Sequence, residues 1–411
     1  MKKKEPIPLY AICCLFLIKP YAIVAISPAI ETIYNLGFLF STVCCVLLSV
    51  CKRYWPSFAN YGLLFYGIIY VSTVIYGGDY ITLTKMVLGM LSFVILVGYS
   101  IERKNGEFLR VGGTIFCAYV LLNSISIILF PKGLSMYSTE YTYSEMYFLG
   151  HPNGIIKYAI PALCFQGTYD LVIHGKLKLL SIATFVATVI SVVLTQSATG
   201  IVAILVFILM YFLCGKKSTV FRRICNCYVA IGVNLGFFLL IILLRMQEKF
   251  SYLISVTLGR DLTFTGRTRL WDALLQYIGE TPILGHGMPY SSQITSILSY
   301  SNVSAHNLMM DFLYRGGISC IVVLMILLVV IQKRINQIDI SISFRGFWQC
   351  GLLACSIGWL TDTYIGDFFA LTWAILCVGF YLKFIDKKKE IIRANRKQVR
   401  IKIGRYILGR G

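Results

Sequence analysis

The sequence predicts an all-α polytopic membrane protein, a bundle of about 12 transmembrane helices with one large outer loop between the ninth and tenth spans. Three observations predict it. Of 411 residues, 57% are hydrophobic and 14% charged, whereas a soluble globular chain carries roughly 25% charged residues. That composition gives a mean hydropathy of +0.75. Apolar stretches of about 20 residues, long enough to cross a hydrocarbon core as helices, recur from end to end. The basic residues between them are sorted to alternate sides.

In chain order the spans are expected at 9–30, 33–51, 59–76, 81–99, 111–130, 154–173, 179–195, 200–214, 227–244, 308–331, 347–360 and 368–385. Lys19-Pro20 interrupts the first and should kink it, because proline removes a helix hydrogen bond. The last two are short, as tilted or re-entrant helices would be. With the N-terminus inside, the cytoplasmic segments hold 28 of the 38 Lys and Arg, counting Lys383 at the end of the last span. The outer segments hold six: Lys132, Arg245, Lys249, Arg260, Arg267 and Arg269. Four lie within spans: Lys19, Lys85, Lys157 and Arg315. That bias places both termini in the cytoplasm.

The net charge of +20 is therefore no sign of nucleic-acid binding. Much of it lies in the tail, 386–411, which is expected to rest on an anionic inner leaflet at about 1 kcal/mol per basic residue. The 14 cysteines fall in spans or near their cytoplasmic ends, without zinc-type spacing, and read as small packing residues. Lys2-Lys3-Lys4 before an apolar run has the charge pattern of a signal peptide. An uncleaved first span is the preferred reading, because it preserves the orientation count.

Two outer segments are long. The first, 131–153, carries Tyr137, Tyr141, Tyr143 and Tyr147 and ends in His151-Pro152-Asn153. The second, 245–307, is unusually polar. Within it Arg267, Trp271, Leu274, Leu275 and Ile278 follow helical spacing, Thr265 can cap the start, and Gly279 with Pro282 ends it. The expected element is an amphipathic helix lying at the outer interface with Trp271 as its anchor. A helix N-terminus bearing Arg267 and Arg269 suits phosphate oxygens, whether of a substrate or of outer-leaflet headgroups. His306-Asn307 stands where the loop re-enters the membrane. There a histidine serves as base or donor, or simply bonds to backbone. Asp311 and Arg315 follow at i,i+4 spacing and should pair. Lys157, one turn below Asn153, is a candidate pocket wall, since an ionisable residue in a span usually faces a cavity or the bundle interior. Lys19 and Lys85 allow the same argument more weakly, because lysines snorkel. Metal binding has little support: Asp362 and Asp367 flank one short outer turn, and only four histidines exist.

Gly266-Arg267, Trp271, Pro282-x-x-Gly285-x-Gly287 and His306-Asn307 followed by Gly317 resemble the shared domain of O-antigen ligases and Wzy-type polysaccharide polymerases. His151-Pro152-Asn153 resembles a further motif ahead of that domain, so the likeness covers about 150–327. Two departures stand out. Cys320 replaces a usual glycine, and Gln196-Ser197-Ala198-Thr199-Gly200 lacks the arginine that many relatives carry after a serine. The resemblance implies a type C glycosyltransferase-like membrane fold that works without metal or other cofactor. It implies glycosyl transfer on the outer face of the bacterial cytoplasmic membrane, with an oligosaccharide on undecaprenyl pyrophosphate as donor. His306 and Arg267 would be catalytic. Arg269, Arg260, His151, Asn153, Lys157, Asn307 and Trp271 would bind pyrophosphate or substrate, with Lys157 or Arg269 replacing the missing arginine.

A polymerase joining repeat units into capsule, exopolysaccharide or O-antigen is the first expectation, with flippase and chain-length regulator proteins as partners besides membrane lipid. A ligase moving the glycan onto lipid A core or protein is the second. A lipid-linked oligosaccharide flippase is the rival of another class. It would show two related halves, and no internal repeat is visible.

Overall fold

The computed structural model describes residues 7–103, 106–138, 143–215, 224–250, 267–290, 305–339, 343–361 and 370–385. Arg260, Thr265, Gly266, Asp362, Asp367 and the basic tail lie outside them. All twelve apolar segments contain helix. α1 (Ile7–Leu17) and α2 (Tyr21–Ile26) are separated at Lys19-Pro20, the expected interruption. α3 (Pro28–Cys51) begins earlier than the apolar pattern suggests. Ser27 Oγ accepts the Ala29 N–H at 3.3 Å and Pro28 occupies the first turn, a strong helix start.

α4 (Ala59–Tyr76), α5 (Tyr80–Arg103) and α6 (Glu107–Leu129) follow. The loop after α6 folds into an element the sequence pattern did not reveal. β1 (Ser135–Ser138) pairs antiparallel with β2 (Tyr143–Met146), Ser135 opposite Met146. Then come α7 (Ile156–Ile173), α8 (Leu179–Leu194), α9 (Ala198–Gly215) and α10 (Cys227–Phe237), the last continued by a π-helical stretch, Phe238–Leu243. α11 (Arg267–Glu280), α12 (Leu308–Ile335), α13 (Ser343–Thr361) and α14 (Ala370–Ile385) complete the described chain. By length and composition α3, α4, α5, α6 and α12 are able to cross a membrane, and several other apolar helices are shorter.

Packing follows membrane rules. α3 buries Gly37, Ser41, Thr42 and Cys45 while exposing Leu36, Phe40, Val43, Leu47 and Val50. Small residues face the protein and large apolar ones face outward, the reverse of a water-soluble helix. α7 lies among α6, α8 and α13, while α12 lies among α4, α10 and α11. Phe65 of α4 ties two further helices together, edge-on to Phe312 of α12 at 4.8 Å and to Trp373 of α14 at 5.6 Å. Most cysteines are buried, and all those described are free thiols. Asp170, buried at the end of α7, accepts Ser181 Oγ at 2.7 Å and the Lys178 N–H at 2.9 Å, which closes the turn into α8.

α12 is broken. Gly317 adopts φ 63°, ψ −165° inside it, which leaves backbone groups on both sides without helical partners. The segment after α11 supplies them. Tyr314 and Arg315 carbonyls accept the N–H groups of His286 at 2.6 Å and Gly287 at 2.9 Å. Pro282 and Ile283 carbonyls accept those of Ile318 at 2.8 Å and Ser319 at 3.2 Å. Gly285 and Gly287 both have positive φ, and a Cβ on Gly285 would sit 2.6 Å from the Tyr314 carbonyl oxygen. The Pro-x-x-Gly-x-Gly motif and Gly317 are thus two sides of one backbone joint. Ser72 and Thr73 of α4 seal it, Ser72 Oγ donating to Gly285 O at 2.5 Å and Thr73 Oγ1 accepting the Met288 N–H at 2.9 Å.

Candidate active site

α11 forms where the periodicity predicts it, but it is not a helix resting on a surface. Leu270, Trp271, Leu274 and Ile278 are buried, and the helix packs on α12. Trp271, expected as an interfacial anchor, is 1% exposed. Its Nε1–H donates to the Ala305 carbonyl at 2.9 Å, and its ring meets Phe237 of α10 edge-on at 6.3 Å. The cause is the apolar stripe of α11, which packs on α12 and takes the Trp271 ring in with it, while the segment preceding α12 offers its N–H an acceptor. Arg267, the first residue of α11, is half-buried, and Arg269 is exposed.

Ala305 is followed by His306 and Asn307. His306 is half-buried with φ 48°, a left-handed conformation uncommon for a residue other than glycine. Asn307, offered above as a substrate-binding residue, spends its side chain on the protein. Its Oδ1 caps α12 by accepting the Met310 N–H at 3.0 Å, and its Nδ2 donates to Leu360 O at 3.0 Å. A second tie begins at the end of α13, where Thr361 and Thr199 hydroxyls lie 2.6 Å apart. Ser197, two residues before Thr199, donates to Asn153 Oδ1 at 3.0 Å and accepts the Gly200 N–H at 3.3 Å. Asn153 belongs to a 3-10 turn, Pro152–Gly154, whose N–H at Asn153 is accepted by His151 Nδ1 at 3.1 Å.

These bonds join the entries of α7, α9 and α12, the end of α13 and the first turns of α11. His151-Pro152-Asn153, the Gln196–Gly200 stretch and His306-Asn307, far apart in sequence, share one end of the bundle. Gln196 also has φ 49°, so two of the motif segments turn into their helices through a left-handed residue. Lys157, one turn beyond Asn153, is 8% exposed. His151 itself is exposed.

Other candidates go elsewhere. Lys19 Nζ donates to Asn35 Oδ1 at 2.8 Å and lies 3.9 Å from Glu31. Asp311 and Arg315 pair as expected, Nε to Oδ2 at 2.9 Å and Nη2 to Oδ1 at 3.3 Å, with Arg315 also touching Met288 Sδ. That ion pair abuts the α12 break. His286, in the loop that fills it, stacks on Tyr314 at 5.3 Å, and its Nε2 lies 2.7 Å from the Tyr277 carbonyl. Thr361 and Arg245 had no role assigned from sequence. Nη2 of Arg245 donates to Thr268 O at 3.0 Å and to the Asp272 carboxylate, which fastens the start of α11 to the end of the stretch that follows α10. Among the described residues, no group of three or more His, Cys, Asp or Glu is placed to hold a metal ion.

A helical integral membrane protein whose polar motif segments meet at one end of the bundle, beside an arginine-bearing helix, is the class these features define. Residues 183–325, from α8 into α12, match the family model described as O-antigen ligase. Over that stretch the chain is similar to the O-antigen ligase family, whose members are glycosyltransferase-like enzymes. No curated protein and no solved structure matches it.

Proposed function

We propose that this chain is a polysaccharide polymerase. It joins undecaprenyl-pyrophosphate-linked oligosaccharide units on the outer face of the bacterial cytoplasmic membrane, with twelve spans and both termini inside. The observation that carries the reading is the Trp271–Ala305 bond. It couples the arginine-bearing first turn of α11 to His306 at the entry of α12, within the stretch that matches the family.

The acceptor hydroxyl oxygen bonds to the anomeric carbon of the donor as the carbon–oxygen bond to pyrophosphate breaks. The leaving lipid pyrophosphate takes the electron pair, and the hydroxyl proton passes to the His306 imidazole. Arg267, Arg269 and Arg260 neutralise the charge that develops on pyrophosphate, where fixed cations contribute most. Lys157 takes the place of the arginine missing after Ser197. In support, Asn153 lies one turn before it and is hydrogen-bonded to Ser197. His151 orients the donor at the same mouth. Asn307 and Trp271 position His306 rather than touching sugar. No metal ion or other cofactor takes part, and a flippase and a chain-length regulator are the protein partners.

Ligation to lipid A core or to protein is the second reading, favoured by the matching family's description as O-antigen ligase. Reconstitution of the purified protein with lipid-linked repeat units separates the two. Lengthening of the lipid-linked chains is expected. Free lipid pyrophosphate with glycan on another acceptor would mean ligase, and neither product would end the transferase reading. Arg267→Ala is expected to abolish product at normal membrane levels.

A further inference from the structure

Past the π-helical stretch that extends α10, the chain turns at Arg245, which has φ 49°, into a 3-10 turn, Met246–Phe250. Arg245 Nη2 is spent on Thr268 O and Asp272. Its Nη1 is buried and, among the described residues, has no hydrogen-bond partner. Gln247, two residues on, is 2% exposed, and both its Nε2 and its Oε1 are likewise buried without a partner among the described residues. Three orphaned polar atoms thus fall within three consecutive residues, on a segment bonded to the first turn of α11 between Arg267 and Arg269.

A buried polar group left unpaired bears its full desolvation cost, so three together call for an occupant. The atoms define its chemistry. Nη1 and Nε2 are donors, and Oε1 is an acceptor. A phosphate accepts from both donors but has no proton for Oε1, and a polyprenyl chain does neither. A hydroxyl group does both.

We propose that Arg245 and Gln247 form a saccharide subsite that takes hydroxyl groups of the sugar chain, next to the arginines of α11. The proposal rests on the glycosyl-transfer reading above and adds a carbohydrate-specific contact to it. The full-length protein, purified in detergent, is titrated with two probes. One is the repeat-unit oligosaccharide released by mild acid from the source organism's lipid extract. The other is undecaprenyl pyrophosphate without sugar.

Gln247→Met is expected to lower oligosaccharide affinity roughly tenfold, the loss expected from one or two hydrogen bonds. Lipid pyrophosphate binding should stay unchanged, and the melting temperature should be equal or higher, because an unpaired amide has gone. Gln247→Glu, which keeps the acceptor and loses the donor, is expected to weaken the oligosaccharide too and serves if the first variant does not fold. Unchanged oligosaccharide affinity in both variants would overturn the subsite and leave a structural water as the occupant. Wild-type protein that binds lipid pyrophosphate but no oligosaccharide would overturn the subsite alone. Binding of neither probe would remove the glycosyl-transfer reading and the subsite with it.

Discussion

His306 and Asn307 stand side by side and do different work. Asn307 is committed to two protein partners. Asn307→Ala is expected to cost about 1 kcal/mol for the lost cap and more for the Leu360 carbonyl left without its donor; a lower melting temperature in detergent checks this. His306 holds a backbone conformation that glycine accepts without strain. His306→Gly is therefore expected to lose activity without backbone strain at this position, measured as turnover per folded protein. In the same assay, activity kept in His306→Gln and lost in His306→Ala would mean hydrogen bonding rather than proton transfer. A histidine and asparagine at a span entry were legible as a site in the sequence. Their division of labour was not, because it depends on Leu360, 53 residues away along the chain. The Thr199–Thr361 contact left no trace in the sequence for the same reason, since hydroxyls in spans are common and only the fold pairs them.

At the scale of elements, helical periodicity predicted α11 almost to the residue but misjudged its setting. One apolar stripe serves equally for lying on a membrane and for packing against a neighbouring helix, and nothing within the stripe tells the two apart. The β1–β2 pair escaped because it lies in a tyrosine-rich polar loop beside long apolar runs that dominate the pattern. Trp271→Phe keeps the packing volume but leaves the Ala305 carbonyl without its donor. It is expected to cost about 1–3 kcal/mol of stability and to lower activity at normal membrane levels, measured by turnover per folded protein. Gly317→Ala is expected to be far worse. The new methyl group would meet the Ile283 carbonyl at a φ unsuited to alanine, and loss of protein from the membrane fraction checks it.

Over the whole molecule, charge asymmetry predicts which end of the bundle faces out, and the motif segments gather at the end carrying the long loops. Alkaline phosphatase fused after Gly133 or Thr281 is therefore expected to be active, and fused after Gly175 or Gln337 inactive; the reverse pattern would invert the topology. Chelation with EDTA is expected to leave turnover unchanged, and a loss of rate restored by a divalent ion would bring metal into the mechanism. The joint at Gly317 bears on how the molecule is made. Its backbone partners lie on the stretch after α11, which is synthesised before α12. In an unbroken α12 the carbonyls of Tyr314 and Arg315 would accept the amides of Ile318 and Ser319, their own partners four residues on. Docking of the earlier stretch takes over all four groups, so the helix can enter the bilayer whole and open at Gly317 only as the loop folds back onto it. A chain that fails to dock would keep a continuous helix where the finished protein has a break.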